Sequence, residues 1–117
     1  MVADPAVVRS YYEHIDNEEY EEVFALFAED IQYERPGQAT LRGMDEFRKF
    51  YIEDRPLEDS NHDDLDLIAD GDTVAVRGTF RGTQDGSSVS FGFADIHEFD
   101  EDGLITKRYT YTDRDTV

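Results

Sequence analysis

The chain has 117 residues, 38% of them hydrophobic and 13% aromatic, and its 29 acids face 11 bases for a net charge of −18. That length implies one domain, 1–117, in which folding buries roughly two thirds of the surface, and eight Phe and seven Tyr argue against wholesale disorder. Zero Cys excludes disulfides and cysteine chemistry, no stretch approaches the roughly 20 apolar residues of a membrane span, and residues 1–8 lack the pattern of a secretion signal.

The first half reads as helix. Asp4 followed by Pro5 is an N-cap with proline in the first turn. Val7, Val8, Tyr11 and Ile15 then recur on one helical face. Asp16 with Glu19 resembles a capping box opening a second helix, whose Tyr20, Val23, Phe24 and Phe27 fit a 3.6-residue period. Residues 31–35 predict a short strand stopped by Pro36-Gly37, with Arg35 extended because it precedes proline. A third helix from Met44 to about Glu53 turns Met44, Phe47, Phe50 and Tyr51 inward and ends before Pro56.

The period then changes to that of strands. Asp70-Gly71, Asp85-Gly86 and Asp102-Gly103 separate runs rich in Val, Thr, Phe and Tyr, and Asp-Gly suits tight hairpin turns because both residues tolerate positive φ. Three such turns predict four antiparallel strands at about 62–69, 73–83, 87–99 and 104–112, long enough to bend around the helices. Helices followed by an antiparallel meander define an α+β fold.

The richest stretch is 91–99. Strand alternation puts Phe91, Phe93, Asp95, His97 and Phe99 on one face, so Asp95 falls among phenyl rings. A carboxyl there is costly unless bonded, paired or protonated. One reading is an acid of raised pKa that can move a proton; the others are an Asp bonded to a neighbouring Tyr, or a face turned to solvent. His97 reads first as a core residue and then as a substrate contact. His14 falls outside the helical stripe and is expected at the surface. His62 with Asp63 and Asp64 is expected in a solvated loop, because no second His stands at ligand spacing. Asp100 to Gly103 lacks the rest of a calcium loop and reads as a hairpin turn. No metal and no cofactor are expected.

Ile31, Tyr33 and Arg35 share the inner face of the first strand, where Arg35 either meets an anionic oxygen or pairs with Asp95. Val74, Val76 and Phe80 face inward from the next long strand, with Arg77 and Arg81 outward. Tyr109 and Tyr111 share a face in the last strand and offer a phenol to the pocket.

Residues 7–11, 25–30, Tyr33-Glu34-Arg35-Pro36-Gly37, Leu41-Arg42-Gly43 and 99–105 together resemble the nuclear-transport-factor-2-like superfamily, specifically its ketosteroid isomerase and polyketide-cyclase (SnoaL-like) enzymes. The resemblance implies a cone of curved antiparallel sheet wrapped around three N-terminal helices, enclosing a ligand pocket, and usually a dimer. It puts Tyr11 at the oxyanion-hole tyrosine of the isomerases and Asp95 at the protonated aspartic acid beside it, which is also the acid/base position of the cyclases. Where the isomerases carry a general-base Asp just before a proline, this chain has Arg35, which cannot abstract a proton at neutral pH.

These observations make a small-molecule enzyme the leading expectation. Asp95, Tyr11 and Arg35 would be catalytic on an apolar carbonyl-bearing substrate, and Tyr33, Phe80, Phe93, His97 and Tyr109 would contact it. The alternative is a non-catalytic module that binds a small hydrophobic ligand. Epoxide hydrolysis would need an Asp–Arg–Asp arrangement whose second Asp the sequence does not supply. A sheet face carrying Gly92, Ala94, Ile96 and Thr110 is expected to pair two copies.

The acidic balance repels nucleic acid and anionic membranes, and it fits a salt-rich cytoplasm in which a Debye length of about 3 Å near 1 M salt suppresses self-repulsion. Dialysis to millimolar salt is therefore predicted to unfold the chain, read as loss of circular dichroism. An unchanged spectrum would contradict this.

Overall fold

The computed structural model describes residues 3–113. The first helix starts as its residue types require. The Asp4 carboxylate accepts from the Ala6 N–H at 2.9 Å, and Pro5 sits where its missing N–H costs nothing. This helix, α1 (Pro5–Asp16), buries Val8, Tyr11, Tyr12 and Ile15 on one face. The short α2 (Tyr20–Phe24) follows without the expected capping box, since the Glu19 side chain at its N-cap makes no capping bond and meets His14 Nδ1 at 3.0 Å instead. Asp16 is drawn away by a distant partner: its carboxylate accepts from the His62 N–H at 2.8 Å and meets His62 Nδ1 at 2.6 Å.

β1 (Phe27–Glu34) starts four residues earlier than expected and is followed by β2 (Leu41–Arg42). α3 (Met44–Lys49) runs on into a π-helical turn (Phe50–Asp54). Arg55 is extended, as a residue before proline should be. Four long strands complete the chain: β3 (Leu57–Asp70), β4 (Thr73–Gln84), β5 (Ser87–Phe99) and β6 (Ile105–Thr112).

The sheet order is β2-β1-β6-β5-β4-β3. β3 to β6 form the expected antiparallel meander, but β1 pairs with β6 in parallel, so the sheet is not wholly antiparallel. Only Asp85-Gly86 is the expected two-residue turn, with both residues at positive φ (53° and 80°). At the first hairpin Asp70 still pairs with Thr73, so Gly71 and Asp72 form the loop. At the third, Phe99 pairs with Ile105 and the loop is longer, its Asp100 carboxylate accepting from the N–H groups of Asp102 and Leu104.

The sheet is curved and unclosed, with the helices on the side of its concave face. β3 bends at two register shifts, between Glu58 and Asn61 and between Asp63 and Asp66, where Asp59 and Asp64 adopt positive φ. One of these bends brings His62, expected in a solvated loop, under α1 beside Tyr12, Phe80 and Phe93. A third irregularity decides the site. Glu98 pairs with Lys107 but Phe99 with Ile105, so Thr106 is an extra residue in β6 and the alternation beyond it reverses. Arg108 and Thr110 consequently point inward and Tyr109 and Tyr111 outward. This corrects two expectations: Tyr109 does not face the pocket, and Thr110 is not on the outer face with Gly92, Ala94 and Ile96.

Among the described residues no helix is long and apolar enough to cross a membrane. The bend of β3 over β4 depends on Gly82, where an added Cβ would lie 2.5 Å from the Glu58 carbonyl oxygen and 2.7 Å from the Phe80 ring. Gly82→Ala is predicted to destabilise the fold by about 1–3 kcal/mol in chemical denaturation. Wild-type stability would contradict so close an approach.

Candidate functional site

Between α1, the π-helical turn and the concave sheet lies a cavity of about 40 Å³. It has room for a few waters or the end of a small ligand, well short of the roughly 300–1,000 Å³ of a site that swallows a drug-sized molecule. Its wall is unusual in composition. Six rings (Tyr11, Tyr33, Phe50, Tyr51, Phe80 and Phe93) share it with three arginines (Arg35, Arg55 and Arg108) and one carboxylate, Asp95.

Asp95 is 1% exposed and accepts three hydrogen bonds. Tyr12 Oη donates to Oδ2 at 2.6 Å, Arg108 Nη2 to the same oxygen at 2.9 Å, and Thr110 Oγ1 to Oδ1 at 2.6 Å. Burial pushes the carboxyl pKa up, but Arg108 and the hydrogen bonds outweigh it, so Asp95 sits below its ordinary value. It is an ionised base, not the protonated acid expected among phenyl rings. Of the two roles left open for Arg35, pairing with Asp95 is not the one taken: Arg108 holds Asp95.

The arginines alternate with rings. The Arg108 guanidinium carbon lies 4.5 Å from the ring centres of both Tyr11 and Tyr33, and that of Arg35 lies 5.5 Å from Tyr33 and 3.7 Å from Phe50. The order is Tyr11, Arg108, Tyr33, Arg35, Phe50. Burial works against the Arg108 charge, but Asp95 and the neighbouring phenols outweigh it and hold its pKa well above the usual value. Burial lowers the Arg35 pKa. Arg55 approaches from the mouth, where Nη1 donates to Ser60 Oγ at 2.8 Å.

The phenols carry a directional network. Thr110 gives its proton to Asp95, so Tyr33 Oη must donate to Thr110 Oγ1 at 2.8 Å. Burial pushes Tyr33 up to about 12 and raises Tyr11 and Tyr12 well above 10.0, so all three stay protonated. Tyr11 and Tyr51 bond through their hydroxyls at 2.5 Å, and Arg108 Nη1 donates to Tyr51 Oη at 3.0 Å. Two phenol protons share one mutual bond. The second proton has no acceptor among the described residues and is available to a ligand oxygen.

Of the residues singled out from sequence, Asp95, Tyr11, Arg35, Tyr33, Phe80 and Phe93 line the cavity together. His97 is fully buried behind it, and Tyr109 does not line it but lines a neighbouring groove shared with Arg35. Tyr12, Tyr51, Arg55, His62, Arg108 and Thr110 were missed as site residues. Tyr12 was legible, standing four residues after Val8 on the same helical face. Arg108 was not, because its inward aim comes from the bulge at Thr106. The Asp–Arg–Asp arrangement of an epoxide hydrolase is not formed, since Arg108 turns to one Asp and a tyrosine. No group of three or more His, Asp or Glu suited to a metal ion occurs among the described residues.

The architecture is the nuclear-transport-factor-2-like cone. The family model described as the SnoaL-like domain matches residues 8–108, and the chain belongs to that family. A protein provisionally named a polyketide cyclase, from Silicibacter sp., superposes with TM-score 0.84 at 17% identity, over 93% of this chain and 88% of that one. An LEH-like epoxide hydrolase of M. tuberculosis gives 0.79 at 23% identity, over 92% and 80%. A protein with a ketosteroid isomerase-like fold from Catenulispora acidiphila, in complex with trimethylamine, gives 0.80 at 18%, over 93% and 86%. At these identities the likeness is one of fold. No curated protein matches the sequence.

His97 makes acid sensitivity testable. Tyr12 gives its proton to Asp95, so His97 Nε2 donates to Tyr12 Oη at 3.3 Å, and Nδ1 has no partner. Burial lowers the His97 pKa from 6.5 to about 3, so the native ring is neutral while the unfolded one takes up a proton below pH 6.5. Stability must then fall as pH drops from 6.5 towards 3, by about 1.4 kcal/mol per pH unit. His97→Gln, which keeps a donor, is predicted to flatten that slope in denaturant titrations at pH 6.5 to 4. An unchanged slope would place the titrating group elsewhere.

Proposed function

We propose that this chain is a small-molecule enzyme that moves a proton on a carbonyl compound whose reacting end enters the cavity. The observation that carries the reading is one ionised carboxylate, Asp95, lining the same 40 Å³ space as a phenol pair with an uncommitted proton. Asp95 Oδ1 accepts only from Thr110 and keeps a lone pair for a substrate proton. As Oδ1 takes a proton from the carbon beside the carbonyl, the electron pair moves to the carbonyl oxygen. The Tyr11–Tyr51 pair, polarised by Arg108, stabilises that oxygen as it becomes an enolate. Asp95 then returns the proton, to the same carbon or to another. Arg35 contributes positive charge and not basicity. Compared with the apolar pocket expected from sequence, this one favours a substrate with more oxygen and less hydrocarbon.

A second reading, a binding module without turnover, is favoured by the three donors on Asp95, because a carboxylate so well satisfied is a weak base. The two separate by experiment. Small ketones incubated with the protein in D₂O are expected to gain deuterium beside the carbonyl, and Asp95→Asn is expected to slow that exchange on the order of 10²–10⁴-fold. Equal exchange by both proteins removes Asp95 from the mechanism. Binding with no exchange by the wild type supports the module.

A further inference from the structure

Arg35 has aromatic neighbours but no carboxylate partner among the described residues. Its residue is 9% exposed, its Nε and Nη1 are buried without a hydrogen-bond acceptor, and no carboxylate reaches it among the described residues. Arg108 also keeps a buried, unpartnered Nε. This occurs in a chain of net charge −18, where carboxylates outnumber cations by more than two to one. A buried guanidinium left without a carboxylate costs several kcal/mol. Asp95 does not supply one, being held by Arg108. The cavity wall therefore carries more positive charge than its one carboxylate balances.

We propose that Arg35 is the anchor for a carboxylate group of the ligand, so that the substrate is a small oxo acid and not a neutral ketone. This rests on the proton-transfer reading for the carbonyl end and adds the group at the other end. The Phe50 ring, 3.7 Å from the guanidinium carbon, leaves the guanidinium's donors to point along its edge, where a planar carboxylate accepts best. The carbonyl oxygen then lies toward the Tyr11–Tyr51 phenols, and the enolisable carbon, on the side of the carbonyl away from the carboxylate, lies toward Asp95.

The surface supports one route of entry. Two depressions each share two or more lining residues with the cavity. One, of about 280 Å³, shares Tyr51, Arg55 and Leu57 and is rimmed by Glu18, Glu53, Glu58 and Asp59, which repel an anion. The other, of about 330 Å³, shares Arg35 and Thr110 and has Glu34 as its one acid among the described residues. An anion enters on the Arg35 side, and whatever exceeds the inner 40 Å³ rests in that groove.

The test is calorimetric titration at fixed ionic strength with 2-oxobutanoate, butanoate and methyl 2-oxobutanoate, on wild type, Arg35→Gln and Arg35→Lys. Both acids are expected to bind wild type at least tenfold more tightly than the ester. Arg35→Gln is expected to abolish that preference without weakening the ester, and Arg35→Lys, which keeps the charge but not the planar fork, to retain part of it. Circular dichroism checks that each variant is folded, and if Arg35→Gln does not fold, the lysine variant and the acid-to-ester ratio of the wild type decide. Equal binding of acid and ester by wild type, or an acid preference that survives Arg35→Gln, overturns the proposal. Deuterium exchange on neutral ketones keeps the two ideas apart. Asp95-dependent exchange with no acid preference sinks the anchor and leaves proton transfer standing. Arg35-dependent acid binding with no exchange on any compound does the reverse.

Discussion

The guanidinium of Arg108 is the contact on which the interior depends. From β6 it bonds Asp95 on β5 and Tyr51 in the π-helical turn, and it lies against rings from α1 and β1. Five segments distant in sequence thus meet on one cation. Burying it without Asp95 would cost several kcal/mol, and burying Asp95 without it as much again, so removing either partner is far worse than the pair's net worth. The flanking rings add about 0.5–2 kcal/mol each and fix the plane of the guanidinium. The arrangement sets protonation as well as shape: it keeps Asp95 ionised at full burial, while burial, acting against Arg108, holds the Tyr11, Tyr12 and Tyr33 phenols above their usual pKa.

The same contact explains which parts of the molecule could be read from the sequence. The fold was legible because its cues are local and repeated: the Asp4-Pro5 start, the apolar stripe of α1, the Asp85-Gly86 turn and the alternation of β4 and β5. Those elements do not depend on distant partners. The site was legible only where the alternation runs unbroken, as from Phe91 to Phe99, which put Asp95 and the phenyl rings on the inner face. Past Thr106 a single extra residue inverts the pattern. Parity alone assigned Tyr109 to the pocket and missed Arg108, and with it the charge state of Asp95. Asp16 and His62 failed for a related reason: each was read by its neighbours in sequence, yet they bind each other across the fold. Bulges and long-range polar pairs carry little sequence signature, and here they carry the chemistry.

The contrast between outside and inside bears on function. The chain as a whole is strongly anionic, yet its cavity gathers three of the nine arginines in the sequence around one acid. Surface carboxylates on that scale would slow the approach of an anion in dilute buffer, whereas at molar salt their reach shrinks to about 3 Å. A pocket that attracts negative oxygen inside a shell that repels it works best where the shell is screened. The salt dependence suggested by composition and the ligand chemistry suggested by the cavity thus point to the same conditions.

The proposed chemistry depends on the charge of the Asp95 carboxyl, and carbon NMR of aspartate-labelled protein reads it directly. Following the Asp95 side-chain carboxyl resonance from neutral pH downward, it should keep the shift of a carboxylate through pH 3.8 or until the fold is lost. A resonance that titrates well above 3.8 while the protein remains folded would mean that Arg108 does not hold this group ionised, and the proposed base would be an acid instead.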